Sequence, residues 1–413
     1  MAVNFAESVF PPFPFTSRSV PIVSDNFDFA QWKRDPAGPV ILKGILRDWP
    51  IVQDLKRCGT DDARLDFLSR GFGSAVVAYT KVPASDPFMG YDENGRENFE
   101  YAPGTCKLDE FCGLLRKSLQ DRHSDIFYAR GGANELRTWR KFSQSIRPLD
   151  ILTGMKPGGE GIWLGSGRHI SHLHQDAHFN CFAMITGVKR VLLYPLEAIA
   201  DLYPSPFYGG ISGTTSSFVR PRTPDPQRFP RFMSAAKHAW VAVVDEGDVL
   251  FLPPCWWHYV EAAPGLNLMI NTFMWALPPA KVRQFEVMMR RSITTALTLS
   301  TEELSGVRKD LYQEVARGTG NLKLSASARA LRRRLSRFLQ PDIPGYWQKI
   351  ARCYYDHYVF QINGHPVAAY PERHATWARQ EASLKPRFRH WARFIRGRAR
   401  MIWRRRMVTG IVP

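Results

Sequence analysis

Five side chains able to bind a metal fall within ten residues: His169, His172, His174, Asp176 and His178. The chain has only 11 histidines in 413 residues, so this clustering asks for a chemical reason. His172, His174 and Asp176 alternate with Leu173 and Gln175, and on a β-strand alternate side chains share a face. An H-x-D pair then offers an imidazole and a carboxylate side by side, as two ligands of one metal. Alone the pair is a weak signal, because such a spacing arises by chance in a chain of this composition. A third candidate, His258, stands in "DEGDVLFLPPCWWHYVEA" (245–262). There an Asp-Glu-Gly-Asp turn leads into an apolar strand, a Pro-Pro break and a second strand that presents the imidazole. Two histidines and one carboxylate on one face leave three positions open, the arrangement suited to non-haem Fe(II) and oxygen. His172 and His178 read as polar strand or loop residues rather than ligands.

Strands have to position these groups, and the sequence supplies them. "GPVILKGILRDWP" (38–50) and "GSAVVAYTKVP" (73–83) carry β-branched runs bounded by Gly and Pro. "KLDEFCGLLRKSLQ" (107–120) spaces its leucines and Phe111 at helical intervals, which predicts a helix. From "GIWLGSG" (161–167) onward, strand patterns follow closely at 179–185, 189–195, 239–254, 256–263 and 267–277. Many short strands separated by Gly and Pro turns predict a barrel or jelly roll. Trp256 and Trp257 read as core packing, since tryptophans bury large areas. The stretch 200–238 is long and rich in Pro, Gly and Ser, the composition of a lid or substrate loop.

Charge divides the chain. Residues 281–413 hold 27 Lys+Arg against 9 Asp+Glu, which accounts for the whole net charge of +18. The body is therefore neutral and the last third basic. Within it, "KPRFRHWARFIRGRARMIWRRRM" (385–407) has ten basic residues and no acidic one. Phe388, Trp391, Ile395, Ala399 and Ile402 form an apolar stripe at helical spacing. Such a helix suits anionic lipid, nucleic-acid phosphates or an acidic protein; a packed helix with a solvated arginine face is the competing reading. Six cysteines without a CxxC pair predict reduced thiols, and no apolar run approaches the roughly 18 residues of a membrane span. The N-terminus lacks the apolar helix of a signal peptide. The expectation is a soluble cytoplasmic protein.

With these motifs in hand, "WLGSGRHISHLHQDAHFNCFAMITGVKRVLLYP", "GDVLFLPPCWWHYVEA" and "NLMINTFMW" together resemble the JmjC and cupin-like 2-oxoglutarate oxygenases. In style the match is nearest to asparaginyl hydroxylases. The resemblance covers residues 160–277 and implies a double-stranded β-helix (jelly roll, cupin-like) that holds Fe(II) and 2-oxoglutarate. It places His174, Asp176 and His258 on the iron ligands. Lys189, fifteen residues after His174, falls on the lysine that binds the far carboxylate of 2-oxoglutarate. Ser171 stands where the family has a hydroxyl for the same carboxylate, and Asn180 and Asn271 match asparagines near cosubstrate and iron. Tyr128 matches a phenol reaching the cosubstrate, and Trp163 a wall of the same pocket. His172 departs from the family, which favours a proline or small residue there. Without the resemblance, Lys189 beside Arg190 reads as a solvated pair, and Asn180 as satisfying a turn.

The expected organisation is a mixed α/β region (1–150) packing on the barrel, the barrel itself (151–280), and a basic, mainly helical region (281–413). The helices after the barrel suggest a homodimer by analogy. The expected activity is C–H hydroxylation of a protein or peptide side chain, with succinate and carbon dioxide as coproducts. N-methyl-lysine demethylation and hydroxylation of nucleic acid or small molecules are alternatives within the class. A non-catalytic cupin-like module with an anion-binding tail is the alternative outside it.

Overall fold

The structure is a computed structural model. It describes residues 9–274, apart from 25, 35–36, 92–96, 99–101, 132–145, 147–148, 150–156, 177, 196–197, 199–200 and 204–215. The first half contributes β1 (Arg18–Ser19), β2 (Ile22–Val23), α1 (Phe29–Arg34), β3 (Val40–Leu42), α2 (Pro50–Cys58) and α3 (Asp61–Phe72). Then come β4 (Val76–Val82), β5 (Phe88–Tyr91), β6 (Glu97–Asn98), β7 (Ala102–Lys107), α4 (Leu108–Gln120) and β8 (Ile126–Gly131). The second half is strand after strand: β9 (Pro157–Gly165), β10 (Ile170–Gln175), β11 (Phe179–Thr186) and β12 (Lys189–Tyr194). A short helix α5 (Phe232–Ala235) precedes β13 (Trp240–Val244), β14 (Val249–Leu252), β15 (Trp257–Ala262) and β16 (Asn267–Met274).

The strands form two facing sheets, the architecture of a jelly roll. One runs β1-β13-β12-β15-β10-β5-β6, the other β2-β3-β14-β11-β16-β9-β8-β4-β7. Strands from before residue 150 complete both, with β5 beside β10 and β8 beside β9. The helix expected over 107–120 is α4, with Leu108, Phe111 and Leu115 buried. Helices α2 and α3 carry Leu55, Leu65 and Leu68 into the large core on the outer face of the β11 sheet.

Period-two alternation sorts the central strands. On β11, Cys181, Ala183 and Ile185 join that outer core, while Phe182 and Met184 point between the sheets. On β12, Leu192 and Tyr194 face out, Val191 and Leu193 in. On β15, Trp257 and Tyr259 face out and Val260 in; on β16, Leu268 and Ile270 face out and Met269 in. The same alternation sends Asn180, Lys189, His258 and Asn271 inward, all buried. Apolar residues there would contribute about 1.5–3 kcal/mol each by burial. A lysine, a histidine and two asparagines do not serve core stability.

Two turns set the register. In the turn 245–248, Gly247 adopts φ +87, and the Asp248 carboxylate accepts from the Asp245 and Gly44 amides at 2.9 Å each and from Lys43 Nζ at 2.6 Å. After Pro253 and Pro254, Cys255 adopts φ +64 and its amide donates to the Asp176 carbonyl at 2.6 Å. That bond fastens the start of β15 to the end of β10. No disulfide joins the described cysteines. No helix among the described residues is long and apolar enough to cross a membrane. The regions 204–215 and 281–413, with the insert tip and the basic segment, lie outside the described residues.

Candidate functional site

β10 and β15 are antiparallel neighbours, and His174 stands directly opposite His258. The two imidazole centres are 4.2 Å apart, and Asp176 Oδ2 lies 3.5 Å from His258 Nε2. One ligand atom from each of His174, Asp176 and His258 falls within 4.8 Å of the others, close enough for one metal ion. His174 Nδ1 donates to the His172 carbonyl at 2.7 Å and His258 Nδ1 to the Trp256 carbonyl at 3.0 Å. A carbonyl can only accept, so in the neutral form of each ring the proton sits on Nδ1 and Nε2 keeps its lone pair. Burial and the neighbouring His174 push His258 down to about 4. It is neutral at physiological pH, so its contact with Asp176 is not an ion pair; both groups offer electron pairs to the same point. The donor set fits a divalent cation with an N₂O face.

A β-bulge widens this face. Ser171 pairs with Val260 and His174 with His258, so β10 uses three residues where β15 uses two. Ser171 and His174 consequently line the same cavity despite their odd spacing. The cavity, of about 660 Å³ with its open mouth, is also lined by Tyr128, Trp163, Asn180, Lys189 and Asn271. Along β15 the inward positions are His258, Val260 and Ala262, which pair with His174, Ser171 and Lys189 in turn. Each two-residue step is about 7 Å. A cationic and hydroxyl end therefore lies along the strand from the three metal-capable side chains, in one cavity.

Lys189 is 1% exposed and has no ion-pair partner among the described residues. Its ammonium lies 5.4 Å from the centre of the Tyr128 ring, and burial lowers its pKa to about 7. A buried lysine without a counter-ion is costly, and a ligand carboxylate would relieve that cost. Arg190 is not a solvated companion: it is itself buried, faces the other side of β12 and pairs with Glu261. The Tyr128 hydroxyl bonds Ser171, and burial pushes its pKa upward, so it stays a neutral phenol.

The remaining expected residues are present too. Trp163 Nε1 donates to Asn271 Oδ1 at 2.7 Å, Asn271 Nδ2 to Asn180 Oδ1 at 3.1 Å, and Asn180 Nδ2 to Asp176 Oδ2 at 3.2 Å. Asn180 is thus not a turn residue. His172 lines the cavity with its ring 4.7 Å from that of His174. Its Nδ1 donates to the Met89 carbonyl at 3.0 Å, so its Nε2 accepts from Ser216 Oγ at 2.8 Å. Both ring nitrogens are committed to tying β5 and the middle of the 200–238 stretch to β10. His178 packs against Phe273 outside the cavity lining. Sequence reading missed the apolar wall of Met89, Phe182, Val260, Met269 and Phe273. Alternation from Asn180 and Asn271 would have found Phe182, Met269 and Phe273; Met89 carried no such signal.

Comparison with known proteins agrees with this geometry. Residues 28–277, more than half of the chain, match the cupin-like domain family. The chain belongs to that family, within the JmjC and cupin-like oxygenases, whose members use Fe(II) and 2-oxoglutarate. It is 36% identical over 245 residues to the Xenopus tropicalis protein called lysine-specific demethylase 8, covering 58% of this chain and 48% of that one. It is 30% identical over 132 residues to lysine-specific demethylase JMJ31 of Arabidopsis thaliana, covering 32% and 23%. Human HSPB1-associated protein 1 is 36% identical over 124 residues, covering 29% and 25%. The chain thus spans about half or less of the length of these relatives.

Proposed function

We propose that the chain is an Fe(II)- and 2-oxoglutarate-dependent oxygenase that hydroxylates a C–H bond on a protein or peptide side chain. The observation that carries this reading is one cavity with the His174, Asp176 and His258 donors in one part and the uncompensated Lys189 ammonium in another. His174, Asp176 and His258 would hold the metal. Lys189 and the Ser171 hydroxyl would bind the far carboxylate by charge-assisted and neutral hydrogen bonds. Tyr128, through its bond to Ser171, orients that hydroxyl and closes the cavity's inner end. The apolar wall of Phe182, Val260 and Met269 excludes water. Bound there, Fe(II) with 2-oxoglutarate and oxygen supplies the oxidative chemistry that turns C–H into C–OH, releasing succinate and carbon dioxide.

The names of the two lysine-specific demethylases support a second reading, hydroxylation of an N-methyl group that then leaves as formaldehyde. Mass spectrometry of a peptide library after incubation separates the two. A gain of one oxygen supports hydroxylation, and loss of a methylene with formaldehyde release supports demethylation. Neither change, in the presence of succinate formation, would move the substrate to nucleic acid or a small molecule. A homodimer through the helices after the barrel and an anionic partner at 385–413 rest on the sequence alone.

A further inference from the structure

The hydrogen bonds from Trp163 to Asp176 run in one direction, and elementary donor chemistry fixes that direction at both ends. An indole N–H can only donate, so Asn271 must turn its oxygen to Trp163 and its NH₂ onward. Asn180 must then accept with its oxygen and donate with its nitrogen, and an ionised Asp176 can only accept. The usual ambiguity of amide orientation is thereby removed. The two asparagines are 2% exposed each, so the bond between them is shielded from water, and the bonds at the two ends are partly buried.

The backbone is cut to fit this relay. Asn271 on β16 pairs with Gly161 on β9. A Cβ at Gly161 would lie 2.5 Å from Asn271 Oδ1 and 3.1 Å from Trp163 Nε1, in the space the first bond occupies. The relay ends on the oxygen of Asp176 nearest His258. It begins three hydrogen bonds away on Trp163, whose ring stacks on that of Tyr128 with centres 5.8 Å apart.

We infer that Trp163 and Asn271 are positioning residues for the metal carboxylate, acting through Asn180 to hold Asp176 in its ligating rotamer. The indole wall of the cavity and the metal face are thus one unit. The inference rests on the reading of His174, Asp176 and His258 as a metal site. Removing such an outer hydrogen bond commonly weakens metal binding by about 10–100-fold.

Cobalt(II) titration of the full chain, followed by its visible absorption, is the test. Trp163→Phe keeps an aromatic ring and deletes the donor. Its cobalt affinity should fall by roughly tenfold, with shifted absorption bands and a melting temperature of the metal-free protein close to wild type. Asn271→Ala should lose at least as much. In the Asn271→Ala background, Trp163→Phe should have no further effect, because the relay is already cut. Additive losses in this cycle, or wild-type affinity in Trp163→Phe, would overturn the relay. If Trp163→Phe fails to fold, Asn271→Ser carries the same test, and unchanged cobalt affinity there overturns the relay equally. Failure of the wild-type chain to bind cobalt would instead refute the metal site itself.

Discussion

Lys189 Nζ lies 5.4 Å from the centre of the Tyr128 ring, and no carboxylate among the described residues pairs with it. Burial alone brings its pKa to about 7, so near neutral pH the ligand-free protein has this ammonium partly deprotonated. A ligand carboxylate needs it charged. The affinity for 2-oxoglutarate should therefore fall as pH rises above about 7, approaching tenfold per pH unit. Calorimetric titration with 2-oxoglutarate in the presence of Mn(II), from pH 6 to 9, checks this. A flat profile would show that another group holds the ligand.

The same lysine should limit stability. Its folded pKa lies below the unfolded value of about 10.4, so the unfolded chain binds more protons between roughly pH 7 and 10.4. Stability of the ligand-free wild type should rise across that window as the buried charge is lost. Lys189→Met should melt several degrees higher than wild type at pH 7, show no such rise, and need at least about tenfold more 2-oxoglutarate. Equal melting temperatures at pH 7 would mean that the ammonium is already compensated.

His172 and His174 are two residues apart with opposite consequences. His174→Ala or Asp176→Ala should abolish metal binding, whereas His172→Ala or His178→Ala should leave the metal bound. His172→Ala should instead destabilise the fold by about 1–3 kcal/mol, because Ser216 loses a buried partner. Denaturant melts and metal titration of the four variants separate the effects. Loss of the metal in His172→Ala with its retention in Asp176→Ala would reverse the assignment.

The metal-capable residues were legible because their types and spacing are unusual and the fold obeys period two. Alternation alone carries Lys189, Asn180, His258 and Asn271 inside. The bulge at Ser171 was not legible, since one extra residue leaves no mark in composition; only the pairing with β15 reveals it. Nor was His172 readable as a tether, because Met89 and Ser216, its partners, are 83 and 44 residues distant. Helices α2 and α3 escaped too. Pro50 and Thr60 open them, and the Thr60 side chain accepts from the Ala63 amide, but no element was expected between the strand patterns at 38–50 and 73–83.

The basic region should be separable from the chemistry. Deleting 385–413 should leave metal binding and 2-oxoglutarate turnover intact and weaken binding to RNA, DNA or acidic vesicles. The difference should shrink as salt rises. Filter binding and vesicle sedimentation at several salt concentrations check it. Equal binding by both forms at low salt would mark the arginines as a solvated face.

Succinate formation from 2-oxoglutarate by the purified full chain, with and without Fe(II), tests the central claim most directly. Iron-dependent succinate is expected in the wild type, none above background in Asp176→Ala, and a strongly raised 2-oxoglutarate requirement in Lys189→Ala. Wild-type protein that forms no more succinate than Asp176→Ala, at saturating iron and 2-oxoglutarate, would contradict it and leave a cupin-like binding module.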